Sequence, residues 1–414
     1  MYYYRQPRYF SEFKCIGGGC SDSCCSRLWS VDWKEEEIDK VKNAPNWSRE
    51  LKELCENSFK YNEERKVYVV ILGEENRCPF LTEDNFCKIQ RELGEEYLSY
   101  TCTVYPRQYN MTNSATYRYC HMSCPEIIKK ILHDEKCMDM INAEMKTAPD
   151  VIVNKIDTPK NIAKHPELKY AAEIKEFFYE IISNKKLPLE SCIILGALAA
   201  QSLTKMIGAG DYDNIPEAIK ILRAQMHNAA QLKSIENIKP NYNVKLGIVD
   251  KLLREHFSTA AMASLLDGEG TLNIDIYRCA ELLLEKEFES RQFAWRNIAL
   301  NLLLELDMLF KPQDNTFLEN YSIFVISYAF LRHCALTVVE YNDRLSGTET
   351  TAAFGDSGLK MHIKKRINTE KFILRFSAVL SRKFGHDKDF LKQLLQQMQD
   401  YKLTSPAYLA LLVK

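Results

Sequence analysis

The sequence predicts a mainly α protein: a small cysteine-rich metal-binding amino-terminal domain, residues 1–146, and a larger all-helical domain, residues 147–414. Three observations carry this expectation. Eleven of the fourteen cysteines fall before residue 140. After the stretch Thr147–Pro166, which holds three prolines and little periodicity, apolar residues recur at helical spacing, as at Leu246, Val249, Leu252, Leu253 and Phe257. Strand alternation is scarce in that second part, and 414 residues are enough for two separate cores.

The elements follow in chain order. Residues 1–45 read as short turns around GGGCSDSCCS, where Gly17–Gly19 permit tight backbone folding. Trp29, Val31 and Trp33 alternate with polar residues and predict a short extended segment. Lys34–Phe59 reads as helix, Val67–Leu72 as the clearest strand, and Asn85 as a turn before a helix over Cys87–Leu98. Pro106 breaks the next segment. Pro125 is placed to open a helix over Glu126–Leu132, with Ser123 as its cap, and a further helix is expected over Met138–Lys146. Beyond the boundary, helices are expected at Glu167–Asn184, Leu189–Ala209, Ile215–Ser234, Val244–Leu266, Ile274–Phe310, Phe317–Asn342, Met361–Lys383 and Lys388–Asp400, with Asp343–Gly358 as a surface loop.

Composition narrows the function. Lys and Arg number 55 against 56 Asp and Glu, a net charge of -1, so bulk charge draws the chain to neither nucleic acid nor a membrane surface. The longest apolar runs, such as Ile193–Ala200, are far short of a membrane span, and MYYYRQPRYFSEFKC has no apolar signal-peptide core. A reducing cytoplasm is therefore the expected setting. There, clustered cysteines are metal ligands or reactive thiols more often than disulfides.

Eight cysteines form the candidate metal set: Cys15, Cys20, Cys24, Cys25, Cys78, Cys87, Cys102 and Cys124. Thiolates at this density suit zinc or an iron–sulfur cluster. The spacing C-x3-C-C at residues 20–25 is neither a doubled C-x2-C zinc knuckle nor the C-x3-C-x2-C triplet of radical enzymes that cleave S-adenosylmethionine. Eight thiols exceed the four that one tetrahedral ion or one cubane takes, so some are structural or two sites exist. Cys55, Cys120, Cys137, Cys192, Cys279 and Cys334 read as buried small residues.

Longer stretches carry a resemblance. YFSEFKCIGGGCSDSCC-x3-W, CPFL-x5-C-x-I-x3-LGEEYL, TCTVYPRQY, SCPEIIKKIL and, late in the chain, LENYSIFVISYAFLRH resemble the bacterial flagellin lysine-N-methylases, most strongly over residues 9–132. The cysteine-rich part is also similar to small iron- or zinc-chelating domains. Ser99 departs from the family, whose members often carry cysteine there. The resemblance implies methyl transfer from S-adenosylmethionine to the ε-amine of flagellin lysines, and an iron–sulfur cluster (4Fe-4S, with zinc as the alternative) in the cysteine-rich part. It singles out Arg107 and Glu126 near the cysteines. In the late segment it singles out Glu319, Asn320, Tyr321, Arg332 and His333. Of these, Arg107, Glu319, Asn320, Tyr321 and Arg332 are the candidate donor-binding residues. A non-catalytic metal-binding adaptor and an iron–sulfur redox protein are the alternatives.

The donor site itself leaves no readable motif. Val67–Gly73 is followed by Glu74 and Glu75 but by no glycine-rich phosphate-type turn, and Gly208-Ala209-Gly210-Asp211 follows a helical pattern rather than a strand. A donor site of another architecture is expected in the helical part. The sequence leaves the oligomeric state open.

Overall fold

The computed structural model describes residues 3–20, 23–25, 31–45, 47–74, 77–144, 154–257, 274–306, 315–347, 368–386 and 388–414. It is mainly helical, with a β-rich amino-terminal region in which the strand expected over Val67–Leu72 stands as Val67–Val70 and the extended segment expected up to Trp33 as Asp32–Trp33. The strands, in chain order, are β1 (Tyr3–Pro7), β2 (Asp32–Trp33), β3 (Phe59–Asn62), β4 (Val67–Val70), β5 (Arg107–Met111), β6 (Thr116–Cys120), β7 (Met140–Glu144) and β8 (Asn154–Lys155). Five of them form one sheet in the order β7-β1-β6-β5-β8, and the other three form a second in the order β2-β4-β3.

The five-stranded sheet is assembled from distant segments. β1 runs parallel to β6, with Tyr4 opposite Thr116, and antiparallel to β7, with Arg5 opposite Asn142. β5 and β6 form a hairpin closed by Thr112, whose N–H donates to the Ala115 carbonyl at 2.9 Å. The helix expected over Met138–Lys146 is instead β7 as far as it is described, because five of its residues pair with β1. A run whose periodicity is weak takes the structure its neighbours offer.

Several expected helices stand with breaks. Lys34–Phe59 divides into helices Glu35–Lys42 and Arg49–Asn57; the first ends at Asn43 before Pro45, and Ser48 caps the second by accepting from Leu51 N at 3.1 Å. Cys87–Leu98 is helical only at Lys88–Glu92, followed by a 3-10 turn at Glu95–Tyr97. Pro125 opens helix Pro125–His133 as expected, with Cys124 rather than Ser123 at the cap position. In the second part, Asn228 caps a new helix and divides the expected Ile215–Ser234 into Ile215–Gln225 and Ala229–Glu236. A 3-10 turn at Glu289–Arg291 divides Ile274–Phe310 into Ile274–Glu287 and Phe293–Leu306. Helices Leu189–Gly208, Thr369–His386 and Lys388–Asp400 stand close to where periodicity puts them; the helix expected from Glu167 starts at Ala171 after a 3-10 turn, the one expected over Val244–Leu266 is Tyr242–His256 and ends at Phe257, and Pro406–Val413 is an additional helix at the carboxyl end. Trp29 and parts of several expected segments (residues 145–146, 258–266, 307–310, 348–358 and 361–367) lie outside the described residues.

Helix Phe317–Gly347, 31 residues long, is the axis of the helical body and packs against Leu189–Gly208, Ile274–Glu287, Thr369–His386 and Pro406–Val413. Its apolar residues run all round it because it is enclosed. Leu189–Gly208 and Phe317–Val339 are long and apolar enough to cross a membrane by length and composition, longer than the short apolar runs suggested, and 89 % of the apolar window in the second is buried within the fold.

Two hydrophobic cores result. The small one joins Trp33, Ile38, Val41, Leu51, Val70, Phe80 and Ile89 beneath the three-stranded sheet. The large one takes Tyr9, Phe10, Tyr119, Met122, Ile127 and Ile131 together with Phe177, Leu195, Tyr321 and Leu394, residues from both sides of the stretch Thr147–Pro166. A buried polar seam runs through this large core. Glu305, from helix Phe293–Leu306, faces His121 Nδ1 at 2.8 Å, accepts from Met122 N at 3.1 Å and from the Ser381 hydroxyl. Asn301 accepts from Tyr9 Oη at 2.7 Å and donates to Cys120 O at 3.2 Å. Each of these groups is satisfied by a partner from another element, so the seam fixes the five-stranded sheet against the helices.

Candidate functional site

The eight cysteines do meet in one neighbourhood. Cys15, Cys20, Cys24, Cys25, Cys87, Cys102 and Cys124 border a cleft of about 390 Å³ that also takes Arg107 and Glu126; Cys78 lies next to it, on a small cavity shared with Cys24, Cys25, Cys87 and Cys102. Local structure explains the gathering. Gly17, in the left-handed region at φ 55°, turns the chain after Cys15, and Cys78 N donates to Cys25 O at 2.8 Å. Cys87 and Cys124 stand at helix starts.

The metal expectation is corrected. Among the described residues, which include all eight cysteines, no group of three or more His, Cys, Asp or Glu side chains is arranged to hold a metal ion. The sulfurs line the walls of a cleft rather than converge on one point, and all are free thiols. Burial pushes the Cys78 and Cys87 thiols up, and Cys124 up to about 12. Cys25 is the exception. A hydrogen bond from the Cys24 thiol, helped by Ser23, holds Cys25 below the ordinary thiol range and leaves Cys24 well above it. The expected iron–sulfur cluster, or zinc in its place, thus has no ligand group among the described residues.

The expected donor residues do not form one site. Arg107 borders the cysteine cleft with its guanidinium over the Phe13 ring, 5.1 Å from the centroid. In the late segment, Glu319 closes a capping box with Thr316, accepting from Thr316 N at 2.7 Å, and also accepts from Gln399 Nε2 at 2.6 Å. Asn320 is buried and accepts from Asn315 Nδ2 at 3.3 Å. Tyr321 is fully buried against Phe178 and Phe324, and its hydroxyl donates to Ile193 O at 2.9 Å. His333 is buried and stacks on Tyr277. Of the late set, Arg332 borders a second cleft.

That cleft, of about 660 Å³, opens between helices Leu189–Gly208, Ile274–Glu287, Phe293–Leu306 and Phe317–Gly347. Phe288, Trp295 and Tyr328 form an aromatic wall: Phe288 and Trp295 ring centroids are 5.5 Å apart, and Trp295 meets Tyr328 edge-on at 6.3 Å. The Arg332 guanidinium lies 5.7 Å from the Trp295 ring. Burial opposes its charge, but Tyr328, Glu190 and Glu281 outweigh that and raise it above the ordinary arginine value. Close to Arg332, Lys245 pairs with Glu281 at 3.3 Å, Tyr242 Oη donates to Glu281 at 3.2 Å, and Lys245 sits over Tyr277. Burial pushes the Lys245 ammonium down against the pull of Glu281. Sequence reasoning does not reach Glu190, Phe288, Trp295, Tyr328 or the Lys245–Glu281 pair. The available signal was charged or hydroxylated residues on otherwise apolar helices, which is weak because such residues also cap and pair.

No solved structure matches the chain. Among curated proteins, it is 20 % identical over 374 residues to a "Lysine-N-methylase" of Salmonella choleraesuis (strain SC-B67) and, likewise, to one of Salmonella typhimurium (strain LT2); each match covers 84 % of this chain and 88 % of the relative. A "Flagellar biosynthetic protein FliU" of Salmonella muenchen is 26 % identical over 136 residues, covering 32 % of this chain and 79 % of that protein. The family model of the FliB lysine N-methylase C-terminal domain matches residues 175–412, which contain most of the Arg332 cleft, from Lys185 onward. Homology thus supports a methyltransferase, and with more than half of its length matched the chain belongs to the FliB lysine N-methylase family.

Proposed function

We propose that the protein transfers methyl groups from S-adenosylmethionine to lysine ε-amines of flagellin. The observation that carries this is the family match over residues 175–412, together with lysine-N-methylases aligned over most of the chain. The lysine nitrogen attacks the sulfonium methyl: a C–N bond forms, the C–S bond breaks, and its electron pair stays on sulfur, leaving S-adenosylhomocysteine. The ammonium proton must leave before attack, since only the neutral amine has a lone pair. With a reference pKa of about 10.4, an exposed lysine is mostly protonated near neutrality. A site that strips water from the amine lowers that value and favours the nucleophilic form, and alignment with the methyl supplies the rest. The sulfonium is already activated, so the reaction needs no electron donor. In this reading the helical part, residues 147–414, carries the donor and the protein substrate, and the reaction takes place in the cytoplasm.

The test is transfer of labelled methyl from S-adenosylmethionine to purified flagellin by the full-length protein. Label recovered as N-methyllysine after hydrolysis supports the reading. Absence of transfer by folded protein at high donor and flagellin concentrations overturns it.

A further inference from the structure

We propose that the cleft beside Arg332 is the methyl-donor site: Arg332 takes the donor's carboxylate, Glu190 its ammonium, and the Phe288–Trp295–Tyr328 wall faces its sulfonium. The assignment rests on the methyl-transfer reading and locates it. Three features point to an amino-acid-like cation with an aromatic-compatible body. First, polar groups stand ready without completed hydrogen bonds. Tyr328 is 1 % exposed, and its hydroxyl and Arg332 Nε have at most a weak hydrogen bond to each other's side chain and no other partner among the described residues. Leaving such groups unpaired is costly, and a ligand would satisfy them. Second, the charges are complementary to a zwitterion. Arg332 and Glu190 feel each other's charge but form no ion pair, and Glu190 makes no hydrogen bond or salt bridge among the described residues. A guanidinium fork suits a carboxylate, and a carboxylate suits an ammonium. Third, Phe288, Trp295 and Tyr328 all border the cleft, and aromatic rings attract a desolvated cation such as a sulfonium.

The neighbouring Arg296 shows what a purely structural arginine does here. It donates to Ile182 O at 2.6 Å and Leu187 O at 2.7 Å, pinning the connection between helices. Arg332 makes no comparable backbone contacts among the described residues and keeps its fork for the cleft. The cleft volume falls in the range of small-molecule sites.

The test is calorimetric titration of full-length protein with S-adenosylmethionine and with the inert product S-adenosylhomocysteine, beside the flagellin assay. Glu190→Gln keeps size and hydrogen bonding and removes the charge; Arg332→Gln removes the fork. Each is expected to weaken both ligands roughly 10- to 100-fold, the range of one charge-assisted hydrogen bond. Arg332→Lys is expected to fall between Arg332→Gln and the unmodified protein. Should Arg332→Gln fail to fold, Glu190→Gln, whose side chain supports no other described residue, decides. Unmodified protein that methylates flagellin while Glu190→Gln and Arg332→Gln bind both ligands normally overturns this site and leaves the activity standing. Protein that neither binds the donor nor methylates flagellin overturns the activity, and this site with it.

Discussion

Replacing Gly196 with alanine should destabilise the helical body, although alanine is the better helix former. Gly196 lies inside helix Leu189–Gly208, where helix Phe317–Gly347 crosses it, and a Cβ there would come within 2.6 Å of Tyr321 Cζ and closer still to its hydroxyl. Ordinary contact is near about 3.5 Å, so the ring must retreat by about 1 Å in a fully packed interior. Overpacking of this kind costs about 1–3 kcal/mol. The retreat also breaks the 2.9 Å hydrogen bond from Tyr321 Oη to Ile193 O, worth about 1 kcal/mol. Against these stands the helix-propensity gain of alanine over glycine, about 0.8–1 kcal/mol. The balance is a loss of about 2 kcal/mol, read as a lower urea midpoint by circular dichroism. Tyr321→Phe should cost about 1 kcal/mol alone and relieve only part of the alanine's effect, because the ring carbon remains in the way. A Gly196→Ala midpoint equal to or above that of the unmodified protein would refute the packing argument and free the Tyr321 hydroxyl for another role.

Other outcomes follow from the seam and the thiols. Glu305→Ala strips the acceptor from His121, Met122 N and Ser381 together and should lower stability by about 3 kcal/mol in urea titration, with a smaller loss for Glu305→Gln. Alkylation followed by peptide mass spectrometry should label Cys25 first among the clustered cysteines. Its thiolate fraction rises as pH climbs through about 7, while Cys124 stays protonated until about 12, so a rate at Cys25 that is flat between about pH 6 and pH 8 would contradict the Cys24–Cys25 hydrogen bond. Tyr9→Phe removes both the donor to Asn301 and the acceptor of the buried Cys120 N–H and should cost about 2 kcal/mol, seen as a lower melting midpoint.

Local pattern made the helices legible. Leu246, Val249, Leu252 and Leu253 repeat at a spacing that only a helix turns to one face, and Leu189–Gly208 and Lys388–Asp400 appear almost as read. The five-stranded sheet was not legible, because its strands are short and bear residues such as Arg107, Gln108 and Asn142, and because β1 finds β6 across more than a hundred residues. The signal missed was the aromatic and β-branched run Thr116–Cys120 after the polar turn at 112–115. Cysteine density led to the expectation of a metal site that the described residues do not form, because spacing along a chain carries no information about whether sulfurs converge on a point. Arg332 was reached through its resemblance segment; Glu190, more than a hundred residues away, joins it only through the crossing of helices Leu189–Gly208 and Phe317–Gly347.

The most direct measurement is the intact mass of purified flagellin after incubation with the full-length protein and S-adenosylmethionine. The account predicts stepwise gains of one methylene each, mapping to lysines and absent when the donor is omitted. Flagellin of unchanged mass, with protein shown to be folded and donor in excess, would contradict it.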